Sequence, residues 1–511
     1  MNAVRLTKAI SFTHYLRNRS TTSAYRSRRP AQAVVMLASL GLVACAVGPS
    51  YRKPEPDAPA TWSRIETTAN PVATAGTRGD LGHWWRVFHD PLLSELVDRA
   101  QWQNLDMRKA QARLREARAR LGVAGAARFP SLEASASASR SGSSAGPGVA
   151  GGNAAAIMGN QFNVGFDASW ELDVFGGVRR GVEAAEADQE SAMASLDDVR
   201  VSLVAEVARG YIEVRSLQIR LGIARTNLAS QTETLELTEL RAQAGLVNSQ
   251  DVEQARSNRE QTLAQIPSLE VSLAEAEHRL DILLGEAPGS LDACLAAAGR
   301  LPEVPSGVAV GIPADTLRQR PDVRAAERKL AAETARVGVA EAARYPSFKL
   351  SGSVGLEALV QGGSGSTGVF YSLLGGITAP IFNAGRLKNQ VEAQDAVREQ
   401  AQVAYQQAVL TALQEVENAL VALARNRERG DALTRAAEAA HAASDLARQR
   451  YSAGVIDFQS VIDTQRTVLS VEDSLASTQA DSVLALIRLY KALGGGWSQT
   501  TEPHAAGKGA T

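Results

Sequence analysis

Hydrophobic residues recur at steps of three and four along two very long stretches of the chain. Leu196, Val199, Leu203, Val207, Tyr211, Val214, Leu217, Leu221, Ala224 and Leu228 make the first stripe; Val409, Leu413, Val416, Leu420 and Leu423 make the second. This spacing places one apolar seam along a helix, as in a coiled coil. No proline interrupts the first stretch between Gly148 and Ile266. A helix over Val182–Ala244 is therefore expected, ~95 Å long at 1.5 Å per residue. Gly245 ends it as a C-cap, and Ser249 or Asp251 can cap a returning helix that stops at Gly285. Pro267 lies inside that return and predicts a kink or break. The second stretch gives a helix over Gly385–Ala453, a stop at Gly454 and a return over Phe458–Leu493.

Elsewhere the period drops to two. Phe162, Val164, Phe166, Ala168, Trp170 and Leu172 alternate with Asn163, Gly165, Asp167, Ser169 and Glu171. Eleven such residues match the ~9–11 of a membrane strand with one lipid-facing side, and a soluble sandwich strand alternates likewise. Strand patterns fall at about 131–140, 161–172, 347–357 and 370–382, with a Gly/Ser-rich loop at Gln361–Gly368. The first of them, Ser131–Ala138, offers almost only Ala on its apolar side.

The strand pairs follow two near-copies, RLGVAGAARFPS at Arg120–Ser131 and RVGVAEAARYPS at Arg336–Ser347, identical at nine of twelve positions and 216 residues apart. In each, an Ala/Arg-rich helix meets a proline, Pro130 or Pro346. Proline disfavours helical geometry in the residue before it, which makes Phe129 and Tyr345 helix stops. The helix tips repeat too: LRAQAGLVNSQDVEQAR (Leu240–Arg256) aligns with QRYSAGVIDFQSVIDTQ (Gln449–Gln465) at an offset of 209. The chain is thus one unit present twice: helix, strand, strand, long helix, turn, returning helix. The units are expected over 84–285 and 321–493, joined by a Pro/Gly-rich connector at 286–320 around the helices' middle, with a disordered tail at 494–511. In the first unit Asp90 and Pro91 start a helix expected to run to Ala127. Trp84 and Trp85 read as packing residues, since the adjacent His83 and His89 have no metal-ligand company.

Only at the N-terminus does composition add a separate element. Arg26, Arg28 and Arg29 precede an apolar run, Ala31–Leu42, too short to span a membrane, which reads as a secretory signal over 1–44. Leu42-Val43-Ala44-Cys45 resembles a bacterial lipobox, in which Cys45 is acylated. A Pro-rich tether over 45–83 follows, with Trp62 pinning it to the body. Removing the signal takes away seven Lys/Arg and no acidic residue, leaving 47 basic against 55 acidic residues, a net charge of −8. Nucleic-acid binding is disfavoured by that balance. Cys294 then has no disulfide partner and is expected to be buried. No catalytic constellation, phosphate loop or metal motif occurs, so the chain reads as a non-enzyme without cofactor.

Four strands cannot close a barrel, and an open edge in lipid leaves backbone groups unpaired. If the strands are in a membrane, several chains must share one barrel, and three would give twelve strands. The fold class is then mainly α with a β membrane part, a tube that is β at one end and α for most of its length. A lipid-anchored periplasmic coiled-coil structural protein would account for helices and lipobox, though not for strands placed symmetrically after helix–proline junctions.

Several segments carry a close resemblance: CAVGPSYRKP from Cys45, WWRVFHDPLLSELV (Trp84–Val97), WELDVFGGVRR (Trp170–Arg180), GIPADTLRQRPDVRAAE (Gly311–Glu327), PIFNAGRLK (Pro380–Lys388) and the two tip turns. Together they identify the chain as resembling the TolC-like outer-membrane factors, in the NodT-type lipoprotein subgroup. The resemblance implies a homotrimer with a long periplasmic α-barrel below a shared twelve-stranded outer-membrane β-barrel, anchored in outer-membrane lipid and extending into the periplasm. It also implies a passive exit channel for drugs or other small molecules, docked through a periplasmic adaptor to an inner-membrane pump of the resistance-nodulation-division type. A channel for type I protein secretion is the alternative within the family. Gly245 with Leu246 and Gly454 with Val455 are the expected adaptor-docking tips. Asp463 matches an aspartate of the periplasmic constriction, where three copies would make a like-charge ring. Tyr451 matches a position whose hydrogen bonds help to hold that end shut. Gln459 stands where relatives carry a constricting Leu, and Ser452 where they carry an Arg.

Overall fold

The computed structural model describes residues 46–55, 59–63, 73–74, 81–143, 157–297, 299–305, 308–309, 313–361 and 364–497. The signal segment and Cys45 lie outside the described residues, as does the tail beyond 497. A 3-10 segment, Leu81–Phe88, leads into α1 (Pro91–Gln103) and α2 (Leu105–Ala126). The strands β1 (Ser131–Ser143) and β2 (Ile157–Leu172) follow, then the 67-residue α3 (Gly177–Gln243) and the return α4 (Ser249–Leu284). After the connector the order repeats: α5 (Pro321–Ala342), β3 (Ser347–Gln361), β4 (Ser364–Thr378), α6 (Arg386–Ser452) and α7 (Phe458–Ala492). At 1.5 Å per residue α3 and α6 are each roughly 100 Å long. No described helix is long and apolar enough to cross a membrane.

Several boundaries differ from the sequence pattern for physical reasons. The expected single helix from Asp90 breaks at Asn104, whose side chain accepts from the Met107 N–H at 2.9 Å and donates to the Leu283 carbonyl at 2.8 Å. The junction helices end at Ala126 and Ala342, the first within one residue of the expected Ala127, and Pro130 and Pro346 immediately precede the strands. Pro267 does not break α4; it sits on the exposed side, where water can serve the carbonyl it leaves unbonded. Asn248, not Ser249 or Asp251, caps α4, and Asp457 caps α7. β1, β2 and β3 run longer than expected. β4 starts at Ser364 inside the expected loop, because Gln361 already pairs with Ser364. It stops at Thr378 rather than Phe382, because Ser347, the first residue of β3, lies opposite Thr378. The tail is not disordered from its start: the Gly496 N–H donates to the Leu81 carbonyl at 2.8 Å, and Gly495 packs against the Trp84 ring. Cys294 is exposed, not buried.

The main core sits at the middle of the long helices. Trp84, Trp85, Leu93 and Leu96 pack there against Val204, Val207 and Tyr211 of α3, Leu280 and Leu284 of α4, and Leu486 and Leu489 of α7. Trp84 stacks on Tyr490 at 5.2 Å, and Trp62 joins the same cluster, pinning the tether. Asp90 caps α1 through the Leu92 and Leu93 N–H groups and accepts from the Tyr211 hydroxyl at 2.6 Å, tying the cap to α3. Toward the tips the hairpin interior turns polar. Asn227, Gln231, Thr234 and Thr238 of α3 are buried with Asn258 and Thr262 of α4 and Gln465 of α7. Gln465 donates to Thr234 at 2.8 Å, while the Gln231 amide has no hydrogen-bond partner. Apolar packing resumes in a small cluster at the tips around Leu235, Tyr451, Phe458 and Ile462.

Where the connector meets the helices, buried Arg320 pairs with Asp322 at 2.6 Å and Glu415 at 2.7 Å and donates to the Ala492 carbonyl at 3.0 Å. Asp198 of α3 faces this group. Burial, then Asp322, pushes its carboxyl up to about 6, against the pull of Arg320 and Lys491. A raised carboxyl favours the fold while protonated, and that benefit is lost as pH rises through about 6. Asp198→Asn is therefore expected to raise the melting temperature at pH 8, by at most about 3 kcal/mol of stability. The gain should shrink toward pH 4 in thermal melts across that range.

Candidate functional site

The sheet is antiparallel, ordered β1-β2-β3-β4. Its register stacks like on like. Ala136, Val164, Leu356 and Val369 stand in one row across the four strands, and Ala134, Phe166, Val354 and Tyr371 in the next. This face is apolar and uncovered within one chain: Val369 is 71% and Leu373 79% exposed. The opposite face is held by side-chain hydrogen bonds. Ser135 donates to Asp167 at 2.7 Å, Gln161 donates to Glu357 at 2.8 Å, and the Ser353 and Ser372 hydroxyls meet at 2.7 Å. Phe370 lies over the facing glycines Gly165 and Gly355, covering backbone that has no side chain of its own. A sheet apolar on one side and polar on the other, with both edges unpaired in the chain, suits a lipid–water boundary.

Below the sheet, Pro130 and Pro346 mark where helix becomes strand. Phe175 stacks on Tyr345 at 4.8 Å, and the Trp170 indole N–H donates to the Arg128 carbonyl at 3.1 Å, so both junctions are tied to the end of β2. The N-terminal strap begins at the same level. Val47 donates its N–H to the Phe175 carbonyl at 3.1 Å, and the nearly buried Arg180 donates to the carbonyls of Val47 and Gly48 and to the Ser50 hydroxyl. A Cβ on Gly48, whose φ is +91°, would lie 2.4 Å from the Gly338 Cα, so only glycine lets the strap lie this close to α5. Further on, the Tyr51 hydroxyl donates to Glu327 at 2.7 Å, and Lys53 pairs with Glu327 at 3.2 Å. Burial raises the Glu327 carboxyl, but hydrogen bonds from Arg328 and Tyr51 outweigh it and hold it below its ordinary value. Cys45 itself lies outside the described residues; Ala46, the next residue, rests against Gly176 just past the end of β2.

At the far end the two hairpin tips lie side by side. Gly245 (φ +69°) and Gly454 (φ +73°) take the left-handed conformation that closes each helix. The next residue's N–H then bonds back, from Leu246 to Arg241 and from Val455 to Arg450, at 2.9 Å in both. Leu246 and Val455 are 69% and 70% exposed. A cleft between the tips is lined by Gly245, Leu246, Tyr451, Gly454, Phe458 and Gln459 among others, whereas Val455 and Asp463 are not in it. Asp463 is exposed one turn below Gln459, whose amide donates to it at 2.9 Å. Tyr451 is buried and its hydroxyl has no hydrogen-bond partner among the described residues. Its ring lies under the Arg241 guanidinium at 4.5 Å, and its carbonyl accepts from Arg241 at 2.8 Å. Arg241 thus bridges the two hairpins and was not singled out from sequence. The signal was its recurrence as Arg450 in the aligned tip segments.

A two-sided sheet above a helical wall with paired tips has the form of a membrane-linked channel subunit. The outer membrane efflux protein profile matches residues 96–286 and 312–495, and the chain belongs to that family. It is 35% identical over 468 residues to Nodulation protein T of Rhizobium leguminosarum bv. trifolii, covering 90% of this chain and 96% of the relative. It is 31% identical to the toluene efflux pump outer membrane protein TtgF of Pseudomonas putida, covering 90% and 95%. The outer-membrane channel OprN superposes with a TM-score of 0.81 at 36% identity, over 89% of this chain and 100% of that one. The open state of the Neisseria gonorrhoeae MtrE channel gives 0.74 at 29%, over 89% and 99%.

Because Arg241 holds the tips through a charge-assisted bond and a ring contact, Arg241→Ala should loosen them by about 1.5–3 kcal/mol. Tyr451→Phe should change little. Single-channel recording in planar bilayers checks both: conductance or open time should rise for the first variant and stay at the wild-type level for the second.

Proposed function

We propose that three copies of this outer-membrane efflux protein form one duct, each giving four strands to a twelve-stranded barrel and four long helices to a wall reaching into the periplasm. The duct is a passive exit for drugs or other small molecules and carries out no catalysis. The observation that carries the reading is the sheet: one apolar face, one hydrogen-bonded polar face and two open edges, a surface that is satisfied only when lipid covers the first and other copies close the edges. The names of its relatives, which include a toluene efflux pump outer membrane protein and a pyoverdine export outer membrane protein, support the same role.

An inner-membrane pump of the resistance-nodulation-division type supplies the energy and a periplasmic adaptor joins it to the duct. The exposed Leu246 and Val455, held out by Gly245 and Gly454, are the adaptor contacts. Acylated Cys45 anchors the chain in the outer membrane. Three Asp463 carboxylates around the axis bind cations and repel one another, which favours widening of that end.

Gly245→Asp should abolish drug resistance in a pump-dependent strain while trimers persist on native gels; unchanged resistance removes the docking role. Asp463→Ala should give larger or less cation-sensitive conductance in bilayers, and an unaltered trace would count against the carboxylate ring.

A further inference from the structure

The N-terminal strap covers one line of one helix. Gly48 lies against Gly338, Tyr51 packs on Ala331 and Ala332 and donates to Glu327, and Lys53 pairs with the same carboxylate. Glu327, Ala331, Thr334 and Gly338 recur at steps of three and four, so they stand in one line along α5, and all four are buried. Five extended steps from Gly48 to Lys53, at ~3.3 Å each, match the eleven helical steps from Gly338 back to Glu327, ~16 Å either way. The offset of 216 between the two helix–proline junctions carries α5 onto α2. It sets Gln111, Arg115, Arg118 and Gly122 at the covered positions, and Arg108 at that of Arg324. All five are exposed.

This second line is open and basic. A Cβ on Gly338 would meet the Arg180 side chain at 3.0 Å, whereas one on Gly122 would meet nothing within 4 Å. Arg108, Arg115 and Arg118 make no side-chain hydrogen bond or ion pair among the described residues. α2 carries six basic residues against Asp106 and Glu116, while α5, of the same 22-residue length, carries four basic and four acidic. A wall helix of this shape therefore does not require the excess of positive charge.

We propose that the line is a docking site for a second strap: an extended, acidic segment of another periplasmic protein, laid along α2 as Gly48–Lys53 is laid along α5. Charge excludes the chain's own strap. Its Lys53 pairs with Glu327 on α5, but Arg52 and Lys53 would face Gln111 between Arg108 and Arg115 on α2. Height excludes a lipid headgroup. On the membrane placement proposed above, on which this step rests, hydrocarbon begins where the strands do. Arg118 lies at least ~12 Å deeper, counted from the end of α2 at Ala126, and Arg108 ~27 Å deeper. The headgroup layer is only about 5–8 Å thick. The line from Gly122 to Arg108 is ~21 Å long, so six or seven extended residues cover it, their carboxylates reaching Arg118, Arg115 and Arg108.

The probe is a synthetic fluorescein-labelled peptide with the Ala46–Glu55 sequence carrying Arg52→Glu and Lys53→Glu, which keeps the strap's length and glycine and reverses its charge. Fluorescence anisotropy measures its binding to the full-length protein in detergent. Binding should weaken about tenfold or more in Arg115→Glu/Arg118→Glu, and also from low to high salt. It should be unaltered in Arg429→Glu/Arg435→Glu, the same charge change on exposed residues of α6. The unaltered strap peptide should bind about tenfold more weakly than the probe. No binding to the wild type, equal binding of the two peptides, or equal losses in the two variants overturns the proposal. Loss of co-purifying phosphatidylglycerol from Arg115→Glu/Arg118→Glu, with no peptide bound by the wild type, assigns the line to lipid and overturns it too. Light scattering gives the assembly mass in the same samples. A monomeric mass counts against the shared duct, while the peptide result still decides the docking line, which lies on a single helix.

Discussion

Each outer edge of the four-stranded sheet presents a row of backbone N–H and C=O groups with no strand partner among the described residues. In hydrocarbon such groups cost several kcal/mol apiece. Much of the rest of the architecture sets the level and the order of these edges. The duplication sets two hairpins side by side in one register, the proline junctions start both hairpins at one level, and the helix row α2-α3-α5-α6 carries the same order into the wall.

Much of this was legible in the sequence because it rests on local chemistry. The three-four spacing of Leu203, Val207, Tyr211 and Val214 appears as a buried seam, and the tip glycines close their helices as expected. What the pattern missed was decided elsewhere in space. Asn104 breaks a helix because Leu283 offers its carbonyl, a partner far away in sequence. β4 begins within Ser364-Gly365-Ser366, whose intrinsic strand preference is low, because β3 supplies a ladder there. Pro267 stays helical because its side of α4 is exposed.

The candidate site divides in the same way. The glycines and prolines could be placed from sequence, since their backbone restrictions act locally. Arg241 could not be weighted, because its value lies in reaching the carbonyl of Tyr451, 210 residues later in the chain. The strap was visible only as a Pro-rich tether; the fit of Gly48 against Gly338 and the grip of Arg180 on its carbonyls belong to tertiary structure.

The polar interior of the hairpins between the equator and the tips has a mechanical consequence. Near Trp84 and Leu284 the helices are joined by fully buried aromatic and aliphatic side chains, whereas around Gln231 and Thr234 they are joined mainly by short polar groups, one of them unsatisfied. Cohesion per turn therefore falls along each hairpin before the small apolar clasp at its end. Such a lever is stiff at its fulcrum and compliant along its arm: once the clasp yields, bending spreads up the polar stretch and stops at the tryptophans.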